Sequence, residues 1–495
     1  MKGHPKAPVC AVVSAVADTT AHSRTLCCPT VTARPRIVVV GGGLAGLAAA
    51  ISCADGGAEV TVLEARSRLG GLTWSFERNG LILDNGQHVY LRCCTEYRGF
   101  LERIGSAQHA PLQDRLSLPV IRPGGSTGWL RKDPLPAPLH IGRSLLTYPH
   151  LRPIERMRVG PAALRLRRLD LDDPSLDDQT FGAWLTAHGQ SDAAIEALWD
   201  LITLPTVNLH ASDASLALAA KVFKTGLLTQ SGAGDIGWSR VPLQQLHGEA
   251  AEAALTKAGA SVQVKARVTG LVDGGAVAAD TVHDADAVIL AVPHDVASGL
   301  LGQPELRRLG ASPIVNVHLV YDRRVTDLEF AAGVGTPIQF VFDRTDSSGL
   351  TGRGQCLAVS LSAADEYAPQ KPEAVIALVT EAMPDLFPAA RRAVVQDAVV
   401  TRERFATFRG VPGTARMRPG PVTQLPNVFL AGAWTATGWP ATMEGAVRSG
   451  NSAASSALAA LADVAAGEPS ARTNASAQFR SLHPHEHEQP EEVVA

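Results

Sequence analysis

Three clusters of residues in this chain have the types and spacing that chemistry needs. Gly41, Gly43 and Gly46 form G-x-G-x-x-G directly after the apolar run RIVVV. The first glycine permits a tight turn, the second lets the backbone approach a pyrophosphate, and the third lets a helix pack closely on the preceding strand. Glu64, eighteen residues past Gly46, ends a second apolar run, where a carboxylate accepts both hydrogen bonds of an adenosine ribose. An acidic group there disfavours a 2′-phosphate, so FAD or NAD fits better than NADP. The second cluster is Asp84-Asn85-Gly86-Gln87-His88, polar residues after an apolar strand. Gly86 lets the main chain come close to a ligand, and His88 can orient a group or donate a proton; taken alone, the cluster also reads as a turn with a satisfied histidine. The third is LAGAWTATGWPATMEGAVRSG, from Leu430 to Gly450, with Glu444 as its single carboxylate.

These groups need elements to hold them. The first cluster reads as strand 36–40, a glycine turn, a helix through Ala54, a stop at Gly56-Gly57 and strand 59–63, a βαβ unit. A hairpin-like FERNGLILDNG and a helix containing Tyr97 and Leu101 follow. Prolines, arginines and leucines then mix, with helices over 181–202 and 214–228. Near residue 240 the first texture returns: a helix, a strand ending near Val268, and a buried parallel-type strand in 284–293. Strands at 312–321, 338–342 and 356–362 belong to a different sheet, and PNVFLAGAW is a last short buried strand. The expected organisation is one nucleotide-binding domain made of 35–105, 235–305 and 420–465, and a substrate domain made of 106–234 and 306–419. Residues 1–34 and 466–495 are expected to be a disordered extension and tail.

Bulk composition restricts the partners. Net charge is −3, so no global basic field exists to hold nucleic acid. Between Arg131 and Asp170, however, nine Lys/Arg face three Asp/Glu, and LRPIERMRVGPAALRLRRLD is a basic amphipathic stretch that suits a solvated helix face or contact with anionic lipid. No run reaches the ~18 apolar residues that span a bilayer. The N-terminal MKGHPKAPVCAVVSAVADTT has the shape of a weak secretory signal, but Cys10 and Ser14 interrupt its apolar run, and a cytoplasmic protein is expected. Cys10, Cys27, Cys28, Cys53, Cys93, Cys94 and Cys356 are odd in number and lack zinc spacing, which fits reduced, buried thiols. HPHEHE near the C-terminus has metal-binding residue types, although a solvated tail is the preferred reading, and no metal is expected.

EARSRLGG follows the second strand. Here the sequence resembles the glutathione-reductase-like flavoproteins that include amine oxidases and polyene desaturases, whose pattern is G-x-G-x-x-G and then E-A-x-x-R-x-G-G. The resemblance implies an α/β fold with a discontinuous FAD-binding Rossmann domain and a second, mixed α+β domain. Glu64 and Ala65 match the motif, and Arg68, Gly70 and Gly71 would lie along the phosphate and ribityl portion of FAD; Leu72 stands where arginine is common. LDNGQHVYLRCCTEYRGFLERIG, with DLITLPTVNL, GDIGWSRVPL and WPATMEGAVRSG, is similar to the hydroxysqualene dehydroxylases over about residues 36–460. That likeness implies main-chain contact of Val268 with adenine and places Gly86 and His88 beside the flavin. It also brings Gly432 and the helix start Met443-Glu444-Gly445 to the flavin, where N–H groups and partial positive charge suit an electron-rich ring. Many relatives carry an acid where Ala433 stands, so that contact is missing or replaced. Trp439 is expected beside the ring or in the core.

The implied reaction is reductive removal of hydroxyl from hydroxysqualene: protonation lets the hydroxyl leave as water, and hydride from reduced FAD reaches the carbon. Candidate proton donors are His88, Asp84 and Glu444, in that order. The partners are an apolar triterpene and, through the basic stretch, the membrane surface. Rival readings are a carotenoid-type desaturase or isomerase and an amine oxidase, the last disfavoured by a total of five tyrosines.

Overall fold

The computed structural model describes residues 34–466. The signal-like run, Cys10, Cys27, Cys28 and the HPHEHE tail lie outside the described residues.

Two sheets organise the chain from Pro35 onward. The first has five parallel strands in the order Val428–Leu430, Ala287–Leu290, Arg36–Val40 (β1), Glu59–Leu63 (β2) and Ser261–Gln263. A parallel strand is covered on both faces and so reads as a continuous apolar run. Ile37 and Val39 of β1 face a helical layer; Val38 and Val40 face a three-stranded antiparallel sheet through Val268, Leu271 and Ala276. Helix α1, Leu44–Asp55, has nine of its twelve residues buried. A helix apolar nearly all round needs cover on two sides, and it lies between the sheet and the last helix, Met443–Ala465. Gly450 makes that contact: a Cβ there would stand 2.2 Å from the Ala45 carbonyl oxygen.

The second sheet has seven strands, ordered Val395–Thr407, Ser312–Tyr321, Gln355–Leu361, Phe340–Asp343, Phe330–Gly333, Ser117–Arg122 and Ser126–Arg131. Every pairing is antiparallel except Phe330–Gly333 with Ser117–Arg122. Helices between Pro153 and Phe223 cover part of it through Leu166, Phe181 and Trp199, and Pro372–Leu386 covers another part through Val375 and Val379.

The α/β class with a second mixed sheet is as expected. The helix expected over 181–202 is instead two, Phe181–Ala187 and a second beginning at Asp192, because Gly189 turns at φ +78° and Ser191 caps the next helix by accepting from Ala194 N–H. The strand expected to end near Val268 is also broken. Lys265, at φ +57°, donates its N–H to Arg66 O (2.8 Å) and Ala266 donates to Glu64 O (2.8 Å), so Val268 opens the next strand, Val268–Val272. Among the described residues no helix is long and apolar enough to cross a membrane, and Cys53, Cys93, Cys94 and Cys356 are free thiols.

Candidate active site

The glycine turn forms a cradle. Gly41 has φ +105°, and a Cβ there would stand 2.4 Å from the Ala291 carbonyl oxygen; one on Gly46 would stand 1.9 Å from Gly41 O. Only glycine lets α1 start this close to β1. Gly43 differs, since the nearest atom to its would-be Cβ is Gly71 Cα at 3.7 Å. Gly43 is the N-cap of α1, and no side chain caps that first turn. The helix therefore offers free N–H groups and partial positive charge beside an open backbone, which suits a pyrophosphate.

The residues after β2 fold back over this turn. Gly70 donates its N–H to Gly42 O (2.8 Å) and bridges Gly43, while a Cβ on Gly71 would press to 2.7 Å of Gly43 Cα. The Arg68 guanidinium stacks 3.9 Å above Trp74. Glu64 is buried; its Oε2 accepts from Gly42 N–H (2.6 Å) and its Oε1 from Arg66 N–H (2.7 Å), with half-buried Ala65 between. Each carboxylate oxygen keeps lone-pair capacity for a ribose hydroxyl. The strand break leading to Val268 crosses the Glu64 carbonyl at this end.

Asp84 to His88 is held between the second sheet and the segments around Leu72, Ser75 and Leu243. His318 Nε2 donates to Asp84 O (2.8 Å), and Asn316 Nδ2 (3.2 Å) and Thr401 Oγ1 (2.7 Å) donate to Asn85 O, so three side chains of the second sheet grip this backbone. Asn85 reaches back with its amide to Leu72 O and Glu403 Oε1. The Asp84 carboxylate accepts from Ser75 Oγ (2.7 Å), Leu243 N–H (2.9 Å) and Arg344 Nη2 (2.9 Å), both ion-pair partners being buried. Asp84, expected as a candidate proton donor, thus ties together three segments through its carboxylate. A methyl on Gly86 would stand 3.1 Å from Asn316 Nδ2 and 3.7 Å from His88 Cε1. Around this turn Gln87 Nε2, His88 Nδ1, Asn316 Oδ1 and Gln244 Oε1 are buried without a partner among the described residues. Buried polar atoms are rarely left so, and four together match a polar ring system bound against them. Burial pushes the His88 pKa down, opposed by the Asp84 carboxylate and the Gly86 backbone.

The last segment closes the arrangement. Gly432, at φ +145°, donates its N–H to Ser449 Oγ (2.8 Å), and a Cβ on it would meet Trp434 Nε1 at 2.3 Å. Where the expected acid is absent at Ala433, Arg418 takes hold of the backbone, donating to the carbonyls of Ala433 (3.1 Å), Trp434 and Thr435. Burial lowers its pKa to about 10. The helix starts at Met443, with Thr442 Oγ1 accepting from Gly445 N–H (3.2 Å). Glu444 turns away from that end. Its carboxylate accepts from Tyr97 N–H (2.8 Å), Glu96 N–H (3.3 Å) and Arg448 Nε (2.7 Å), tying the last helix to the N-terminus of the helix Thr95–Arg103. Like that of Asp84, its carboxylate is engaged by an arginine and by backbone N–H groups of another segment. Trp439 fills core, between Lys221 and Arg448.

Sequence reasoning brought together Asp84 to His88 and the Gly41 turn, but missed Arg344, Asn316, His318, Thr401, Gln244 and Arg418. No local motif marks them, since each enters the site from a remote segment through an ordinary-looking strand, helix or loop. The one available hint was compositional: His and Asn inside the apolar run SPIVNVHLVY demand buried partners.

A family model described as flavin containing amine oxidoreductase matches residues 44–458. The chain belongs to this family. A hydroxysqualene dehydroxylase of Sinorhizobium fredii is 28% identical over 436 residues, spanning 85% of this chain and 97% of that protein. A chloroplastic/chromoplastic zeta-carotene desaturase of Arabidopsis thaliana is 25% identical over 475 residues, spanning 85% and 84%. The solved structure of cyclohexylamine oxidase from Brevibacterium oxydans shares the fold, with TM-score 0.65 at 19% identity, covering 87% of this chain and all of that one. With the family in hand, the open cradle, the uncapped helix and the cluster of unpartnered polar atoms fit one group, FAD. The protein is an FAD-dependent oxidoreductase.

Proposed function

We propose that this enzyme removes the hydroxyl group of hydroxysqualene reductively, giving squalene and water. The reading is carried by the state of the three candidate acids. Asp84 and Glu444 are each committed to an arginine and to backbone N–H groups, whereas His88 keeps a buried ring nitrogen with no protein partner among the described residues. Carbon–oxygen cleavage needs a proton on the departing oxygen, and a hydride must then reach the carbon, so that R–OH, H⁺ and H⁻ become R–H and H₂O. Bound FAD in its reduced form supplies the hydride. His88 holds the proton, and burial makes its imidazolium a stronger acid than in water. Arg344 and Asp84 keep the turn in place, and Gly86 lets the reacting region come close to the backbone.

In this reading Gly41, Gly43, Gly46 and α1 hold the pyrophosphate, and Glu64, Ala65 and Val268 the adenosine. Arg68, Gly70 and Gly71 line the ribityl portion, while Gly86, Gly432, Met443 and Gly445 approach the ring. Glu444 serves as a positioning residue behind that helix start. Residues 35–105, 235–305 and 420–465 hold FAD, and 106–234 with 306–419 form the substrate domain, whose interior takes an apolar triterpene. The setting is cytoplasmic, with peripheral contact to membrane lipid.

The likeness to zeta-carotene desaturases favours a second reading, in which hydride leaves a polyene for oxidised FAD. Amine oxidation has less support. Tyr90 and Tyr97 pack on each other, Tyr148 bonds Ala197 O and Tyr321 lies in the core under Pro372–Leu386, so four of the five tyrosines are committed to packing. Anaerobic incubation of the photoreduced protein with hydroxysqualene, and of the oxidised protein with ζ-carotene, separates the readings by product. Squalene is expected; a more conjugated carotene without squalene would replace the first reading by the second.

A further inference from the structure

The helix Pro153–Arg168 is built the wrong way round for a helix facing water. It buries Val159, Ala162 and Leu166, together with Glu155, on one side. On the opposite side, at spacings of three and four, stand Ile154, Met157, Pro161 and Leu164, where a soluble protein carries charge. Met157 is 69% exposed. The preceding turn and helix extend this crest: Leu139 is 62% and Leu146 66% exposed, and Arg156 joins the two helices by donating to Leu146 O. With Leu135, the stretch holds six of the fourteen exposed large apolar side chains among the described residues, including the three most exposed. Apolar clusters of this kind mark an interaction surface.

The charges identify the partner. Arg152 is occupied by Glu155 (2.8 Å), but Arg143, Arg158, Arg165, Arg167 and Arg168 are exposed and enter no ion pair among the described residues. A protein of net charge −3 thus concentrates unpaired arginines around an apolar crest. Two copies of such a surface would repel each other, and a nucleic acid would leave the crest uncovered. An anionic lipid surface satisfies both parts, taking the apolar side chains below the headgroups and the guanidinium groups at the phosphates. We propose that Leu139, Leu146, Ile154, Met157 and Leu164, rimmed by these arginines, form the face on which the enzyme docks on anionic bilayers. The proposal rests on the substrate reading only for its purpose, which is collecting an apolar substrate from the bilayer.

The test is co-flotation of the FAD-loaded protein with phosphatidylcholine vesicles containing or lacking phosphatidylglycerol. Binding should need the anionic lipid, weaken as salt rises, and fall about tenfold or more in L146D/M157D and in R165Q/R167Q/R168Q. These side chains point into solvent, so an unchanged thermal midpoint shows that the fold is intact. Equal flotation of wild type and both variants, absence of wild-type binding at low salt, or a monomer that L146D/M157D creates from a dimer would each overturn the proposal, the last assigning the face to self-association. Turnover of detergent-dispersed substrate separates the two ideas: it should be the same in wild type and variants, and its failure in all of them would sink the substrate reading while leaving the lipid result standing.

Discussion

Replacing Glu444 by glutamine asks whether that carboxylate is a proton donor or a pin. Its side chain is fully buried and receives three donors, the N–H groups of Glu96 and Tyr97 and the Arg448 guanidinium. Glutamine keeps the shape but replaces one oxygen by an NH₂ group, which turns at least one of these contacts into donor against donor. A charge-assisted hydrogen bond contributes about 1.5–3 kcal/mol, and losing one partner of a buried pair costs about 3–5 kcal/mol. Because Arg448 is about one-third exposed, water recovers part of that loss, and the lower figure of ~3 kcal/mol applies. At ~2 cal/mol/K per residue the unfolding entropy is roughly 0.9 kcal/mol/K, so the thermal midpoint should drop by about 3 °C. R448Q should lose less than this, and E444Q/R448Q less than the sum, because the two act on one contact. The assay pairs thermal unfolding, followed by flavin fluorescence, with turnover normalised to bound FAD. A stability loss with turnover reduced no more than about threefold is expected. Turnover down by about a hundredfold or more at an unchanged midpoint would refute the structural assignment and return Glu444 to the list of acids.

Three further outcomes follow from the same geometry. E64Q removes the carboxylate proposed to hold the ribose and also weakens the Gly42 and Arg66 contacts, so FAD affinity should fall about 10- to 100-fold, measured by titration of the apoprotein; unchanged affinity would remove Glu64 from the adenosine site. If the His88 imidazolium is the acid, kcat/KM for dehydroxylation should rise as pH drops below 6.5, since its pKa is lowered from that value, and H88Q should abolish the rise as well as slow turnover. A flat profile in the wild type would dismiss His88 as donor. Burial also lowers His318 to about 4 and His247 to about 3 from an ordinary 6.5, so both are neutral in the fold while the unfolded chain takes up protons first. Stability from His318 is therefore complete above pH 6.5 and lost as pH falls towards 4, by roughly 3 kcal/mol at most. Midpoints of wild type and H318Q between pH 7 and 4 check this, and parallel curves would contradict it.

The parts of the fold that were legible are those whose physics is local. β1, β2 and the glycine turn are fixed by short-range rules, and their observed bounds match the reading of RIVVV and EVTVL residue for residue. The helix start at Met443, expected from the family likeness, has a local cause in the structure, since Thr442 caps it by accepting from Gly445 N–H. Val268 was misplaced because the break at Lys265 comes from hydrogen bonds to Arg66 and Glu64, about two hundred residues away, and nothing in SVQVKARVTGL announces it. The same holds for the acids. A carboxylate in a motif cannot be sorted into donor or pin from its neighbours in sequence, because the groups that engage Asp84 and Glu444, Arg344 and Tyr97 among them, belong to other elements.

The order of the five-stranded sheet has a consequence for biosynthesis. β1 is paired on one side with β2, which leaves the ribosome almost at once, but its other neighbour is Ala287–Leu290, whose own outer partner is Val428–Leu430. The cover of α1 comes later still, from the helix that begins at Met443. The cofactor cradle is thus encoded first and completed last, and its strand pairings are among the most distant contacts in the chain. Such topology folds slowly and exposes apolar strands meanwhile. Nascent chains should therefore acquire FAD only after release, and truncation within the final forty or so residues of the described chain should yield a protein that chaperones retain and that never turns yellow.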